Sequence, residues 1–309
     1  MGADPTDPAR RNPIGTHVLV GSGLVKGALA SAEELGCEAF QVFAGNPRGW
    51  AHAAGDPVTD RAFRDATAER GLRVVVHAPY LVNLGSPTEE TFRRSVASVA
   101  HPLARAEAIG AEGLVVHTGS YVDPGDSGSG VPGDRRFAAA LAQVRDGLLP
   151  VLEPLDGERA PWLLLEPTAG QGRSLCAGVA DLAGYLAALD HHPRVGVCLD
   201  TCHVFAAGAA LDEPGGATTL LDDLEDVAGP GRLRLIHAND SKDARGSARD
   251  RHERIGEGQI GKGAFVELFA HPATAGVPFI LETPGSRGFD NSDIPVLKDL
   301  RLRAWAAAR

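Results

Sequence analysis

Val195-Gly-Val-Cys-Leu-Asp-Thr-Cys-His203 is the stretch on which the reading of this chain turns. A short apolar run, β-branched at its start and bounded by a turn, stops abruptly on a carboxylate, Asp200. An imidazole, His203, follows three residues later. Such a run reads as a buried strand. A charge at the exit of a buried strand is costly unless it is paired or bound to a metal, and carboxylate and imidazole are both good ligands for zinc-like ions.

The same device recurs in both directions. Strands are predicted at 15–20, 39–44, 73–76, 113–116, 162–165, 195–199, 233–236 and 279–281. They alternate with helices predicted at 24–35, 59–70, 88–109, 135–149, 175–189, 218–227, from near Ala264, and at 293–308. Pro102, inside the third of these, predicts a break or kink. Eight strand–helix units in 309 residues predict a parallel sheet covered on both faces, closed as a single-domain (β/α)₈ TIM barrel over 14–309. Residues 1–13, polar and carrying Pro5, Pro8 and Pro13 without an apolar core, read as a disordered leader rather than a secretory signal. Residues 121–134, rich in Gly, Ser, Asp and Pro, read as a surface loop. Gly21-Ser-Gly23 is a turn and only a weak echo of a dinucleotide fingerprint.

Composition narrows the class. Hydrophobic residues make up 43% and charged residues 23%, as in a soluble globular protein, and no apolar run approaches the roughly 20 residues that span a bilayer. Cys37, Cys176, Cys198 and Cys202 show no zinc-ribbon or disulfide spacing and read as buried, reduced thiols, which implies a cytoplasmic location. A net charge of -10 excludes a simple DNA-coating protein and leaves local recognition open.

In such a barrel the C-terminal ends of the strands converge on one face, where active sites sit. Six of the eight strands exit on a ligand-type residue: His77, His117, Glu166, Asp200, His237 and Glu282. Close behind come His203, Asp240, Asp250 and His252. Nitrogen and oxygen donors without a required thiolate suit catalytic zinc, manganese or iron better than a closed structural zinc. The set is too large for one ion, and Glu166, central in sequence order, is placed to bridge. His17, His52, His101, His191, His192 and His271 stay unassigned, although His17 ends near the pocket. Asp200, just before Thr201, also fits a helix N-cap.

The chain resembles the endonuclease IV family of apurinic/apyrimidinic endonucleases. The resemblance rests on Val195-Gly-Val-Cys-Leu-Asp200-Thr-Cys-His203-Val-Phe-Ala-Ala-Gly208, His77-Ala-Pro-Tyr80-Leu-Val-Asn-Leu-Gly85, Glu166-Pro-Thr-Ala-Gly-Gln-Gly172, His237-Ala-Asn-Asp240-Ser-Lys242 and Asp250-Arg-His252. Gly256-Glu-Gly258-Gln-Ile-Gly261 and Ile280-Leu-Glu282-Thr complete the set, in the family's order and over nearly the whole chain from Ile14. The resemblance implies a TIM barrel with three Zn²⁺ ions. His77, His117 and Glu166 would hold one; Glu166 would bridge to a second held by Asp200, His237 and Glu282; His203, Asp250 and His252 would hold the third. It also implies hydrolysis of the phosphodiester 5′ to an abasic site in double-stranded DNA, with Glu166 nearest the attacking water.

By the same resemblance Asn46, Arg48 and Trp50 lie in a DNA-penetrating loop, Tyr80 and Asn83 in a second loop, and Arg251 reaches a phosphate. Pro167 departs from the pattern, standing where the family commonly has Asn, which removes a backbone N–H and a polar side chain beside the centre. No membrane partner is implied, and a monomer is expected. Two alternatives remain: a metal-dependent sugar isomerase or epimerase on the same barrel, which would not need the Asp250-Arg-His252 set, and a damage-binding protein that does not cut.

Overall fold

Short β-branched runs, each followed by an amphipathic segment, give strands β1 (Ile14–His17), β2 (Ala39–Phe43), β3 (Arg73–His77), β4 (Gly113–His117), β5 (Trp162–Glu166), β6 (Val195–Asp200), β7 (Leu233–His237) and β8 (Phe279–Leu281). The computed structural model describes residues 11–52, 54–121, 135–157, 159–285, 288–289 and 293–307. The first ten residues of the expected leader and nearly all of the expected 121–134 loop lie outside them. Asn12 is buried, and its side chain donates to the carbonyls of Thr274 and Val277.

All eight strands are parallel, and the sheet closes on itself, with β1 paired to β2 on one side and to β8 on the other. Helices α1 (Ala30–Glu34), α2 (Pro57–Glu69), α3 (Glu89–Ile109), α4 (Arg135–Leu152), α5 (Leu182–Ala188), α6 (Thr201–Ala206), α7 (Gly216–Ala228), α8 (Lys262–Ala270) and α9 (Asp293–Ala307) fill the connections. Local chemistry sets their ends. Asp56 caps α2 by accepting from the N–H groups of Val58 and Thr59, with Pro57 in the first turn, where no partner is needed for its nitrogen. Gly110, at φ +72°, stops α3. No described helix is long and apolar enough to cross a membrane.

Three local expectations change. Helix α3 runs through Pro102 without a break, because Val99, Leu103 and Ala106 are buried around it and packing outweighs the lost hydrogen bond. The predicted 175–189 helix begins only with a 3₁₀ turn at Val179–Asp181. Before it the backbone bonds to neighbouring loops: Leu175 N–H to Gly119 O, and Cys176 O from Thr168 N–H. Helix α6, immediately after β6, has no counterpart in the predicted elements.

Alternation along the strands sorts the barrel interior into layers. Ala39, Val75, Val115, Leu164, Cys198, Leu235 and Ile280 form a packed apolar layer of their own. Gly15, paired with Ala39 and Ile280, completes it on β1. A Cβ added to Gly15 would collide with the Ala39 carbonyl oxygen and fall 3.2 Å from Cys37 Cβ. Two residues further along each strand, on the same face, stand His17, Gln41, His77, His117, Glu166, Asp200, His237 and Glu282. That polar layer is the floor of the C-terminal mouth.

Since Gly15 meets backbone rather than a movable side chain, Gly15→Ala is expected to cost at least about 1–3 kcal/mol. The check is a lower urea midpoint at unchanged slope.

Candidate metal centre

Glu166 sits at the hub. Its side chain is buried, with His77 Nε2 3.2 Å from Oε2, His117 Nε2 3.3 Å from Oε2 and His237 Nδ1 2.9 Å from Oε1. His237 Nδ1 is also 3.4 Å from Glu282 and 3.9 Å from Asp200. On the other flank Asp250 faces His203 Nε2 at 3.2 Å and His252 Nε2 at 3.1 Å, and Asp200 lies 3.5 Å from His252 Nε2. Thus all nine residues singled out as ligands come together at one mouth of the barrel.

Their donor atoms form overlapping groups. One ligand atom from each of Glu166, Asp200, His237 and Glu282 lies within 4.8 Å of the others, and the same holds for Asp200, His203 and His252 and for His77, Glu166 and His237. His117 approaches through Glu166 rather than as a member of these tightest groups. Cys202 also stands within that range of Asp250 and His252. Burial, with help from the Asp200 charge, pushes its thiol well above the usual range, so it stays protonated. All four cysteines are free and buried, as the spacing implied.

Four imidazoles are held by one ring nitrogen. His77 Nδ1 is 2.7 Å from Ala78 O, His203 Nδ1 3.1 Å from Pro167 O, His237 Nε2 2.8 Å from Gln41 Oε1 and His252 Nδ1 3.2 Å from Glu282 O. With those nitrogens donating, the opposite nitrogen of each ring presents its lone pair to the carboxylates, as in histidines that bind metal. Proline at 167 therefore leaves this support intact, because the group used is the carbonyl oxygen.

Electrostatics favours bound cations. Burial works against charge on His203, yet Asp200, Asp250 and Glu166 outweigh it and raise its pKa to about 10; His252 is raised to about 9 against burial, chiefly by Asp200 and Asp250. Burial alone would raise Glu166, but His237 and His117 hold it well below the usual carboxylate range. His252 Nε2 is buried without a hydrogen-bond partner although carboxylates stand close to it. An orphaned ring nitrogen aimed at carboxylates fits a divalent cation.

Other residues carry supporting roles that the sequence pattern missed. Gln41 donates to Glu282 Oε1 at 2.7 Å while its carbonyl oxygen faces His237. Asn239 donates to Asp200 Oδ2 at 2.8 Å and accepts from Glu282 N–H at 2.9 Å. The signal for Gln41 was its position, since it occupies on β2 the place that ligands occupy on the other strands. His17, beside it, is driven down to about 3, mainly by burial, and stays neutral. Asp240, grouped with the ligands on sequence grounds, instead accepts from the N–H groups of Ser241, Gly256, Ile260 and Gly261 and organises the following loop. Asp200 does both jobs expected of it: Oδ1 caps α6 through His203 N–H at 3.0 Å, and the carboxylate faces the centre.

Around the rim, Tyr80 is 50% exposed and packs its ring on Phe43, and Leu81, unremarked in the sequence, is 38% exposed beside it. Asn46 accepts from Arg48 N–H within its turn, and Trp50 has Arg94 6.0 Å from its ring centre. Asn83 is committed to fastening two loops, accepting from Gly85 and Ser120 N–H. Arg251 is paired with Asp243 by two hydrogen bonds.

Because Gln41 orients both His237 and Glu282, Gln41→Ala should weaken the tightest metal about 10–100-fold. Competition against a chromogenic chelator measures this, with Gln41→Glu as a second variant that keeps the acceptor.

A family model described as a xylose isomerase-like TIM barrel matches residues 29–303. The "Probable endonuclease 4" of Streptomyces avermitilis is 52% identical over 298 residues, covering 96% of this chain and 93% of that protein. The crystal structure of endonuclease IV from Thermus thermophilus superposes with a TM-score of 0.75 at 34% identity, covering 96% of this chain and 98% of the other. A D-tagatose 3-epimerase-like protein, at TM-score 0.68 and 17% identity over 96% of this chain and 98% of that one, shares the fold alone. With a relative this similar over nearly its whole length, the chain belongs to the endonuclease IV family of xylose isomerase-like TIM barrels.

Proposed function

We propose that this protein is a DNA-repair endonuclease that hydrolyses the phosphodiester 5′ to an abasic site in double-stranded DNA, leaving a 3′-hydroxyl and a 5′-deoxyribose phosphate. The observation that carries the reading is the convergence of nine nitrogen- and oxygen-donor residues on Glu166, with four imidazoles held ready by their far nitrogens. The donor set suits three Zn²⁺ ions, with Mn²⁺ or iron an alternative at some positions. His77, His117 and Glu166 would hold one; Glu166, Asp200, His237 and Glu282 a second; His203, Asp250 and His252 the third. When bound, such ions supply Lewis acidity that makes water acidic near neutral pH and offsets charge on the phosphate.

The chain's own groups supply the rest. Glu166, ionised and central, takes the proton of the attacking water at a carboxylate oxygen. Tyr80 and Leu81, exposed at the rim, suit the gap that a missing base leaves in the stack, and Asn46, Arg48 and Trp50 form a second contact loop. Arg251 must exchange Asp243 for a DNA phosphate if it is to take part. Asp250 and His252, presented by the excursion after β7, are the feature that a sugar isomerase would not need. A cytoplasmic monomer is the form in which we expect the protein to act.

The test is a labelled duplex with one abasic-site analogue, incubated with metal-loaded protein before and after prolonged chelation. A single chelator-sensitive nick 5′ to the lesion, absent from intact duplex, is the expected result; lesion binding without a nick in zinc-loaded protein would favour the non-cutting alternative. Glu166→Gln should lower the nicking rate at least about 100-fold while leaving lesion affinity within a few-fold. Wild-type turnover in that variant would refute the role given to Glu166.

A further inference from the structure

The opposite, N-terminal mouth of the barrel is open. Beneath the apolar layer the next positions along β3 and β5 are Arg73 and Trp162, whereas β4 and β6 carry Gly113 and Gly196. A Cβ on Gly113 would lie 2.7 Å from Trp162 O, and one on Gly196 would lie 2.9 Å from Arg234 Cγ. The glycines leave a basin of about 880 Å³, floored by Val75 and Leu164 and walled by Arg73, Arg159, Trp162 and Arg234.

Arg234 is there because of a bulge. The β6–β7 register passes from Val197↔Leu233 to Cys198↔Leu235, so Arg234 is the extra residue on β7. Strict alternation with the inward Leu235 would send it to the outer face, but a bulge re-aims a side chain. Its guanidinium lies 3.8 Å from the centre of the Trp162 ring, with that of Arg194 5.3 Å from the same ring. Among the described residues neither Arg234 nor Arg159 has a hydrogen-bond or ion-pair partner, whereas Arg73 is bound to Glu112. The lining holds four arginines against three carboxylates, a local positive surplus in a chain of net charge -10.

We propose that this basin binds a compact phosphate-bearing anion, gripped by Arg234 and Arg159. Two guanidiniums with free planar forks match the oxygens of a phosphate group better than a point charge would. The Trp162 ring holds one fork in place and lowers its entropy cost. The basin is larger than a bare phosphate, so the phosphate belongs either to an inorganic ion such as pyrophosphate or to a nucleoside 5′-monophosphate. Partial burial disfavours charge on Arg234; the nearby Glu112 carboxylate offsets part of this, Arg194 and Arg73 add to it, and a bound anion relieves the remainder.

The test follows the indole N–H signal of Trp162 in a ¹⁵N correlation spectrum of the metal-loaded protein, assigned with W162F. Pyrophosphate and adenosine 5′-monophosphate are titrated separately at constant ionic strength. Anion bound at the metal-ligand end lies across the apolar layer and leaves this signal in place. A saturable shift is expected, weakened at least about tenfold in R234A and in R159A, the loss of a charge-assisted hydrogen bond. Tighter binding of the monophosphate identifies a nucleoside-linked phosphate, and tighter binding of pyrophosphate an inorganic one. No saturable shift with either anion, or unchanged affinity in both variants, overturns the proposal. If R234A loses its dispersed spectrum, R159A decides, because that side chain is exposed and has no partner among the described residues.

Discussion

Burying eight polar side chains in a ring inside a barrel is the constraint on which the rest of this structure depends. Carboxylates such as Glu166 and Asp200, wholly removed from solvent, are tolerable only if every neighbour answers them. Two features make this workable. The apolar layer below the ring, from Ala39 to Ile280, keeps water from approaching from that side. Within the ring each acid stands close to at least one imidazole, Glu166 to His77, His117 and His237 and Glu282 to His237, so that each charge has a partner or an open coordination direction.

Rigidity comes mostly from backbone groups around the ring, helped by Gln41 within it. The carbonyls of Ala78, Pro167 and Glu282 and the amide of Gln41 each take one imidazole nitrogen, and Asn239 links Asp200 to the backbone of Glu282. Most of these groups are backbone carbonyls, whose positions follow from the strands and loops themselves. The arrangement tolerates sequence change around the centre, as Pro167 illustrates, more readily than it tolerates a displaced strand.

Much of the fold was legible because charges at strand exits are rare and repeat here six times in order. The ligand set was legible for the same reason, strengthened by motif strings such as Asp250-Arg-His252. Gln41 escaped notice because glutamine is an ordinary strand residue and only barrel closure reveals that β2 lies between His17 and His77 in the ring. Asp240 was misjudged because sequence proximity to His237 says nothing about direction; its oxygens turn toward four backbone N–H groups. Pro102 was read by a local rule that tertiary packing overrode. The extra residue of β7 was equally hidden, since a bulge is a mismatch between two strands and leaves no mark in one.

Closure of the sheet between β1 and β8 also sets a timetable. Thr16 Oγ1 bonds Leu281 O across 265 positions of sequence, and Gln41 reaches Glu282 across 241. On a nascent chain the early strands emerge long before their partner, so a ribosome-bound intermediate carries an incomplete ring with unopposed edges. A cation held by Glu166, Asp200, His237 and Glu282 together would have to wait until Glu282 has emerged. Capture of a cation by that group would therefore follow the emergence of β8, and a product truncated before β8 would lack Glu282 from the group.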